Sequence, residues 1–115
     1  MLLALLTAAF MAAFLSQAAP ADAAPRAANA AECQILADVA VTARALAVSG
    51  VPEAQAHVAA AHMWDTRSDR AADLIRLIVA TAYRSRESVS EYGYRVGLTC
   101  IKEQGDMDTV QGKDA

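Results

Sequence analysis

The sequence predicts an all-α protein, a small bundle of about four helices closed by one disulfide. Apolar residues recur at spacings of three and four along most of the chain after residue 30, which is the period of an amphipathic helix. Alternating runs of β-branched and aromatic residues, typical of strands, are absent from the sequence. Cys33 and Cys100 lie near the two ends of this helical region, and the 115 residues leave room for a single domain.

The N-terminus has the pattern of an export signal. Residues 2–15, LLALLTAAFMAAFL, are apolar apart from one Thr, and small residues and prolines follow them. A membrane span needs about 20 residues, so we predict a signal peptide over 1–23, with cleavage after Ala23 or as late as residue 30. An uncleaved membrane anchor is the alternative. No Lys or Arg precedes the apolar run, which is unusual for a signal peptide. Residues 24–30 are expected to form a flexible leader.

The first predicted helix, 31–48, carries few charges along its length. A helix this apolar must be covered by other helices or by a partner. We expect it to end before Gly50, because glycine readily adopts the left-handed conformation that follows a last helical turn. Pro52 suits the first turn of a second helix, which is predicted over 52–64 and has only a weak apolar stripe.

The third predicted helix, 69–84, has the clearest pattern in the sequence. Ser68 precedes it, and a serine hydroxyl in this position can accept a hydrogen bond from the first turn of a helix. One face of the predicted helix is apolar: Ala71, Leu74, Ile75, Ile78, Val79 and Ala82. This face is expected to lie against the core.

The fourth predicted helix begins at a capping-box pattern, in which Ser88 is followed three residues later by Glu91. It is predicted over 89–104 and ends at Gly105. The helical domain as a whole is therefore predicted over residues 31–105. Residues 106–115 are polar, so we expect them to form a frayed tail.

The two cysteines predict an intrachain disulfide between Cys33 and Cys100. An even cysteine count in a small exported protein favours a disulfide, because the compartment is oxidising and a small core needs reinforcement. Two free thiols, or a bridge between two chains, are the alternatives at this point.

The other polar residues form no recognisable catalytic or metal-binding motif. His57 and His62 are five residues apart, which turns them about 140° from each other around a helix, whereas two metal ligands on one helix are usually three or four apart. Glu87 and Glu91 are interpreted as surface charges at a helix start, because the carboxylates of a glycosidase pair normally come from different elements. We therefore expect no enzyme activity, no metal and no cofactor.

A small set of aromatic residues and glycines provides candidates for interaction and close packing. Tyr92 and Tyr94 would lie about 160° apart on a helix, so one should be buried and the other exposed. Trp64 and Tyr94 are the candidate interaction surface, although Trp64 could instead cover a small core. Gly93 and Gly97, four apart, favour close approach of a neighbouring helix. In a membrane this spacing favours helix dimers, but the surrounding segment is too polar to span a bilayer.

The whole pattern resembles a loose group of small exported proteobacterial proteins. The resemblance extends from ECQILADVAVTARALAVSGVPEAQA to LIRLIVATAYRSRESVSEYGYRVGLTC and depends on Cys33, Gly50, Pro52, Tyr83 and Cys100. The group has no assigned activity. The resemblance implies a helical fold and an exported location without implying a mechanism.

We expect a non-enzymatic protein-binding module, periplasmic or secreted, whose partner is another exported protein or a second copy of the chain. The 10 basic and 13 acidic residues are interspersed, with no basic stripe that would bind nucleic acid. No membrane contact is expected after signal cleavage. One alternative is a stress chaperone that exposes apolar surface in acid, with His57, His62 and carboxylates as charge switches. Another is an immunity protein against a secreted toxin.

Overall fold

The fold was analysed in a computed structural model that describes residues 25–64 and 68–107. These residues contain four helices: α1 (Ala30–Val48), α2 (Glu53–Ala61), α3 (Asp69–Arg84) and α4 (Val89–Lys102). Cys33 and Cys100 form a disulfide. The prediction of an all-α bundle closed by one disulfide is therefore confirmed. The predicted signal peptide, 1–23, and residues 108–115 of the predicted tail lie outside the described residues.

The ends of the helices follow from local hydrogen bonds. At the start of α1, the Asn29 side chain accepts a hydrogen bond from the Glu32 backbone N–H at 2.9 Å. The start of α3 is capped in the same way by Ser68, and the predicted capping box is present at the start of α4. Both bounds of α3 agree with the prediction, because a cap, a strong apolar stripe and a clear end coincide there.

Two helices are shorter than predicted. α2 ends at Ala61 rather than Trp64, because the N–H groups of His62 and Met63 bond three residues back and tighten the last turn. α4 ends at Lys102 because Gln104 and Gly105 have positive φ angles, 54° and 92°. The Gly105 N–H donates to the Cys100 carbonyl at 2.7 Å, which closes this end of the helix.

The core lies between α1 and the other helices, with α1 at the centre of the bundle. α1 packs most extensively against α4, then against α3, and α2 packs against both α3 and α1. The largest fully buried side chains are Tyr92, Leu36, Leu74, Ile78, Met107, Val39, Val79, Val96 and Cys100. Within the two described ranges, no helix is both long and apolar enough to cross a membrane.

Gly93 and Gly97 lie where α4 meets α1. A Cβ atom on Gly93 would collide with the Val41 side chain, and one on Gly97 would lie 3.0 Å from the Cβ of Ala37. The absence of side chains at these two positions lets the helices approach closely. The spacing of these contacts, together with the disulfide, shows that α1 and α4 run antiparallel.

Two side chains from the helices hold the connecting turns in place. The Tyr83 hydroxyl donates to the Val51 carbonyl at 2.6 Å and so fixes the turn between α1 and α2. Arg44 reaches from α1 to the turn between α3 and α4, where its guanidinium donates to the carbonyls of Glu87 at 2.8 Å and Ala82 at 3.2 Å. Arg44 thereby binds a carbonyl of the last turn of α3, which lacks an intrahelical partner.

Candidate functional site

The disulfide lies inside a contact between the two ends of the described chain. The Ala27 N–H donates to the Gly105 carbonyl at 2.9 Å, and Arg26 and Asp106 form an isolated backbone bridge. Ala27 and Met107 are buried. Residues 25–29 of the expected flexible leader, and the first two residues of the expected frayed tail, therefore have defined places in the fold. The sequence analysis missed this contact because neither short segment has an amphipathic pattern.

A cavity of about 200 Å³ opens beside the disulfide. It is lined by Ala28, Asn29, Ala30, Cys33, Cys100, Ile101, Gln104 and Gly105, none of which carries a charged side chain. Ligand sites for drug-sized molecules usually have volumes of about 300–1,000 Å³. The cavity is therefore too small and too uncharged to define a ligand.

His57 and Glu91 have polar partners within the fold. His57 lies 3.7 Å from Glu53, one turn earlier on α2, and His62 is exposed after the end of that helix. Glu91 completes the capping box by accepting from the Ser88 N–H at 3.3 Å. Among the described residues, no group of three or more His, Cys, Asp or Glu side chains could hold a metal ion.

Two half-buried carboxylates form close ion pairs between separate parts of the chain. Glu32 accepts from Arg70 at 2.6 and 3.0 Å, and this contact lowers the pKa of the Glu32 carboxyl. Glu87 lies 2.8 Å from Arg95, which lowers the pKa of the Glu87 carboxyl, with smaller effects from Ser85 and Arg44. Burial opposes both shifts but does not reverse them.

These pairs predict that the protein loses stability in acid. A carboxyl whose pKa is lower in the folded than in the unfolded state stabilises the fold above the unfolded pKa, about 4.3 for Glu. That stabilisation is lost as the pH falls through the lower, folded pKa. The urea midpoint should therefore change little through these carboxyls between pH 7 and pH 5, and should fall below about pH 4.3.

The variants Glu32→Gln and Glu87→Gln test this pH dependence. Each should have a lower urea midpoint than the wild type at pH 7 and a smaller difference from it at pH 3. Glu103→Gln, which removes an exposed carboxylate after α4, is the control for net charge. Parallel curves for the wild type and both variants across the acid range would contradict the prediction.

An apolar surface runs along the outside of α4. Tyr94, Leu98 and Ile101 are four and three residues apart, so they share one face of the helix. Their exposed fractions are 72%, 40% and 58%. Val41, which is 41% exposed, lies beside this face because it contacts Gly93. We call these four residues the α4 stripe.

The α4 stripe includes one of the two candidate interaction residues from the sequence. Tyr94 is the most exposed of its members, whereas Trp64 is half-buried and packs against the core. Trp64 therefore covers part of the core, which was the alternative interpretation of this residue. Val41, Leu98 and Ile101 were missed. Spacing could have identified Leu98 and Ile101, because Tyr92 and Cys100 occupy the opposite, buried face of α4.

Comparisons with known proteins identify no relative of this chain. No protein-family model, no curated protein and no solved structure matches the chain significantly. The candidate site is therefore defined by the geometry of α4 and its neighbour α1.

Proposed function

We propose that this chain is a non-enzymatic protein-binding module and that the α4 stripe is its binding surface. The observation that carries the proposal is the row of large apolar side chains exposed on one face of a single helix. An amphipathic helix that presents apolar residues at such spacings is a common way of recognising another protein. The disulfide supports an oxidising, exported location.

The helix that presents the stripe is held from several directions. Cys100 joins its end to α1, Tyr92 anchors its buried face and the capping box fixes its start. A surface that is ordered before binding loses less conformational freedom in the complex. This supports α4 as a rigid binding element.

Affinity capture with two matched variants tests the proposal. Ile101 on α4 and Val58 on α2 are exposed to similar extents, 58% and 61%. Immobilised, oxidised wild-type protein, Ile101→Asp and Val58→Asp are each incubated with an extract of exported proteins from the source cells. We expect a partner that wild type and Val58→Asp retain equally, and that Ile101→Asp retains at least about ten-fold less. Circular dichroism checks that both variants fold.

Other results of this experiment would overturn the proposal. A partner lost equally with both variants, or retained equally by all three proteins, would show that the α4 stripe is not the binding surface. Capture of many unrelated proteins, increasing in acid, would favour the chaperone alternative. Retention of a single toxin would agree with the proposal, because an immunity protein is one kind of protein-binding module.

A further inference from the structure

We propose that the partner of the α4 stripe is a second copy of this chain, bound through an antiparallel pair of α4 helices. This inference depends on the proposed function, since it identifies the occupant of the same surface. Two charged residues that flank the stripe, Glu91 and Lys102, support it.

Glu91 and Lys102 are exposed residues in the first and last turns of α4. They are eleven positions apart, which places them about 16 Å apart along the axis and only about 20° apart around it. Glu91 is also about 60° around the helix from Tyr94. The two opposite charges therefore flank the stripe on the same side, one near each end.

The helix dipole explains only part of this arrangement. A negative charge in the first turn and a positive charge in the last turn each stabilise an isolated helix. That effect accounts for the signs of Glu91 and Lys102 at the two ends. It does not require them to lie on the same side of the apolar stripe.

A two-fold axis at right angles to α4 makes the arrangement self-complementary. In such an antiparallel pair, the start of one helix lies beside the end of the other. Residues that flank one side of the stripe therefore meet residues that flank the same side of the partner's stripe. Glu91 then lies beside the partner's Lys102, and the contact occurs twice. In a parallel pair the two-fold axis runs along the helices, so Glu91 and the partner's Glu91 lie on opposite sides of the stripe and neither charge meets an opposite charge.

The apolar residues fit the same pairing. The midpoint between Glu91 and Lys102 falls between Val96 and Gly97, within the length of the stripe. Tyr94 of one copy is thereby directed towards Leu98 and Ile101 of the other. Two four-turn helices form a small interface, so we expect a weak dimer with a dissociation constant on the order of tens of micromolar.

The test uses two charge variants of the full oxidised protein, separately and mixed. Lys102→Glu leaves both positions negative, and Glu91→Lys leaves both positive. Sedimentation velocity over a concentration series should show a dimer for wild type and a roughly ten-fold higher dissociation constant for each variant alone, because both pairs change sign. An equimolar mixture should recover wild-type association, since the heterodimer again has two opposite-charge pairs.

Ser88→Ala controls for the second role of Glu91, which is to complete the capping box. This variant weakens the cap while keeping both charges, so its association should match that of wild type. Thermal unfolding shows that each variant is folded at the temperature of the measurement. Recovery of the dimer in the mixture also requires both variants to be folded.

The outcomes separate this inference from the proposed function. A wild-type chain that stays monomeric, or a mixture that does not recover association, overturns the α4 pair. If Ile101→Asp still loses a different protein in the capture experiment, the binding module stands with another partner. If the stripe variants lose neither self-association nor any captured protein, both proposals fail.

Discussion

Replacing both cysteines, as Cys33→Ala/Cys100→Ala, should lower the free energy of unfolding by about 4 kcal/mol. The bond joins residues separated by 67 positions, so it closes a long loop in the unfolded chain and restricts that state strongly. A small domain has only about 5–15 kcal/mol of stability in total. Loss of this one bond should therefore remove a large part of the stability.

Urea unfolding followed by circular dichroism measures this effect. The two single variants provide an internal control, because either one breaks the same bond. Each single variant should lose about as much as the double variant, so the two losses should not add. Reduced wild-type protein should behave like the variants. Coinciding urea midpoints for oxidised and reduced protein would contradict the prediction.

The position of the bond adds a local expectation. Ala27 and Gly105 meet beside the disulfide, and their backbone hydrogen bond joins the two ends of the described chain. Reduction should therefore speed hydrogen exchange at the Ala27 amide more than at amides in the centre of α3. Loss of the bond should loosen this end of the bundle before it affects the core.

The sequence predicted the fold most accurately where several local signals agree. For α3, a serine cap, a continuous apolar face and a final turn before Ser85 agree, and both bounds are correct. For α2 the apolar stripe is weak, and the predicted helix extended past Ala61 to Trp64. Local propensity alone did not show where tighter turns replace the last helical hydrogen bonds.

Contacts between distant positions were less predictable. The disulfide was predicted, because a chain with two cysteines offers one intrachain pair. The contact between Ala27 and Gly105, and the reach of Arg44 to the turn at Glu87, depend on how the helices pack. The full extent of the exposed stripe also depends on packing, since Val41 lies on α1 and joins the stripe only where α1 meets α4.

Truncation of Tyr92 should destabilise the fold strongly, whereas truncation of Tyr94, two positions further along the chain, should have little effect on stability. Tyr92 is fully buried, and burial raises the pKa of its phenol, which donates a 2.7 Å hydrogen bond to the Ile78 carbonyl. Tyr92→Ala should lower the free energy of unfolding by about 3–5 kcal/mol, because it leaves a large cavity in the core. Tyr94→Ala should change it by less than about 0.5 kcal/mol.

Tyr92→Phe separates the two contributions of the buried tyrosine. It keeps the ring and removes the hydroxyl, so its cost should be about 1 kcal/mol, the usual value of one hydrogen bond. Urea unfolding of all three variants measures these differences. Similar losses for Tyr92→Ala and Tyr94→Ala would contradict the assignment of the two faces of α4.

The binding experiments should give the opposite order for these tyrosines. Tyr94→Ala should weaken both capture of the partner and self-association, because Tyr94 is the most exposed member of the α4 stripe. Tyr92→Phe should leave both unchanged, since the hydroxyl it removes is buried against Ile78. Together the two variants would show that one face of α4 stabilises the bundle while the other binds, and equal effects on binding would show that α4 does not divide these roles.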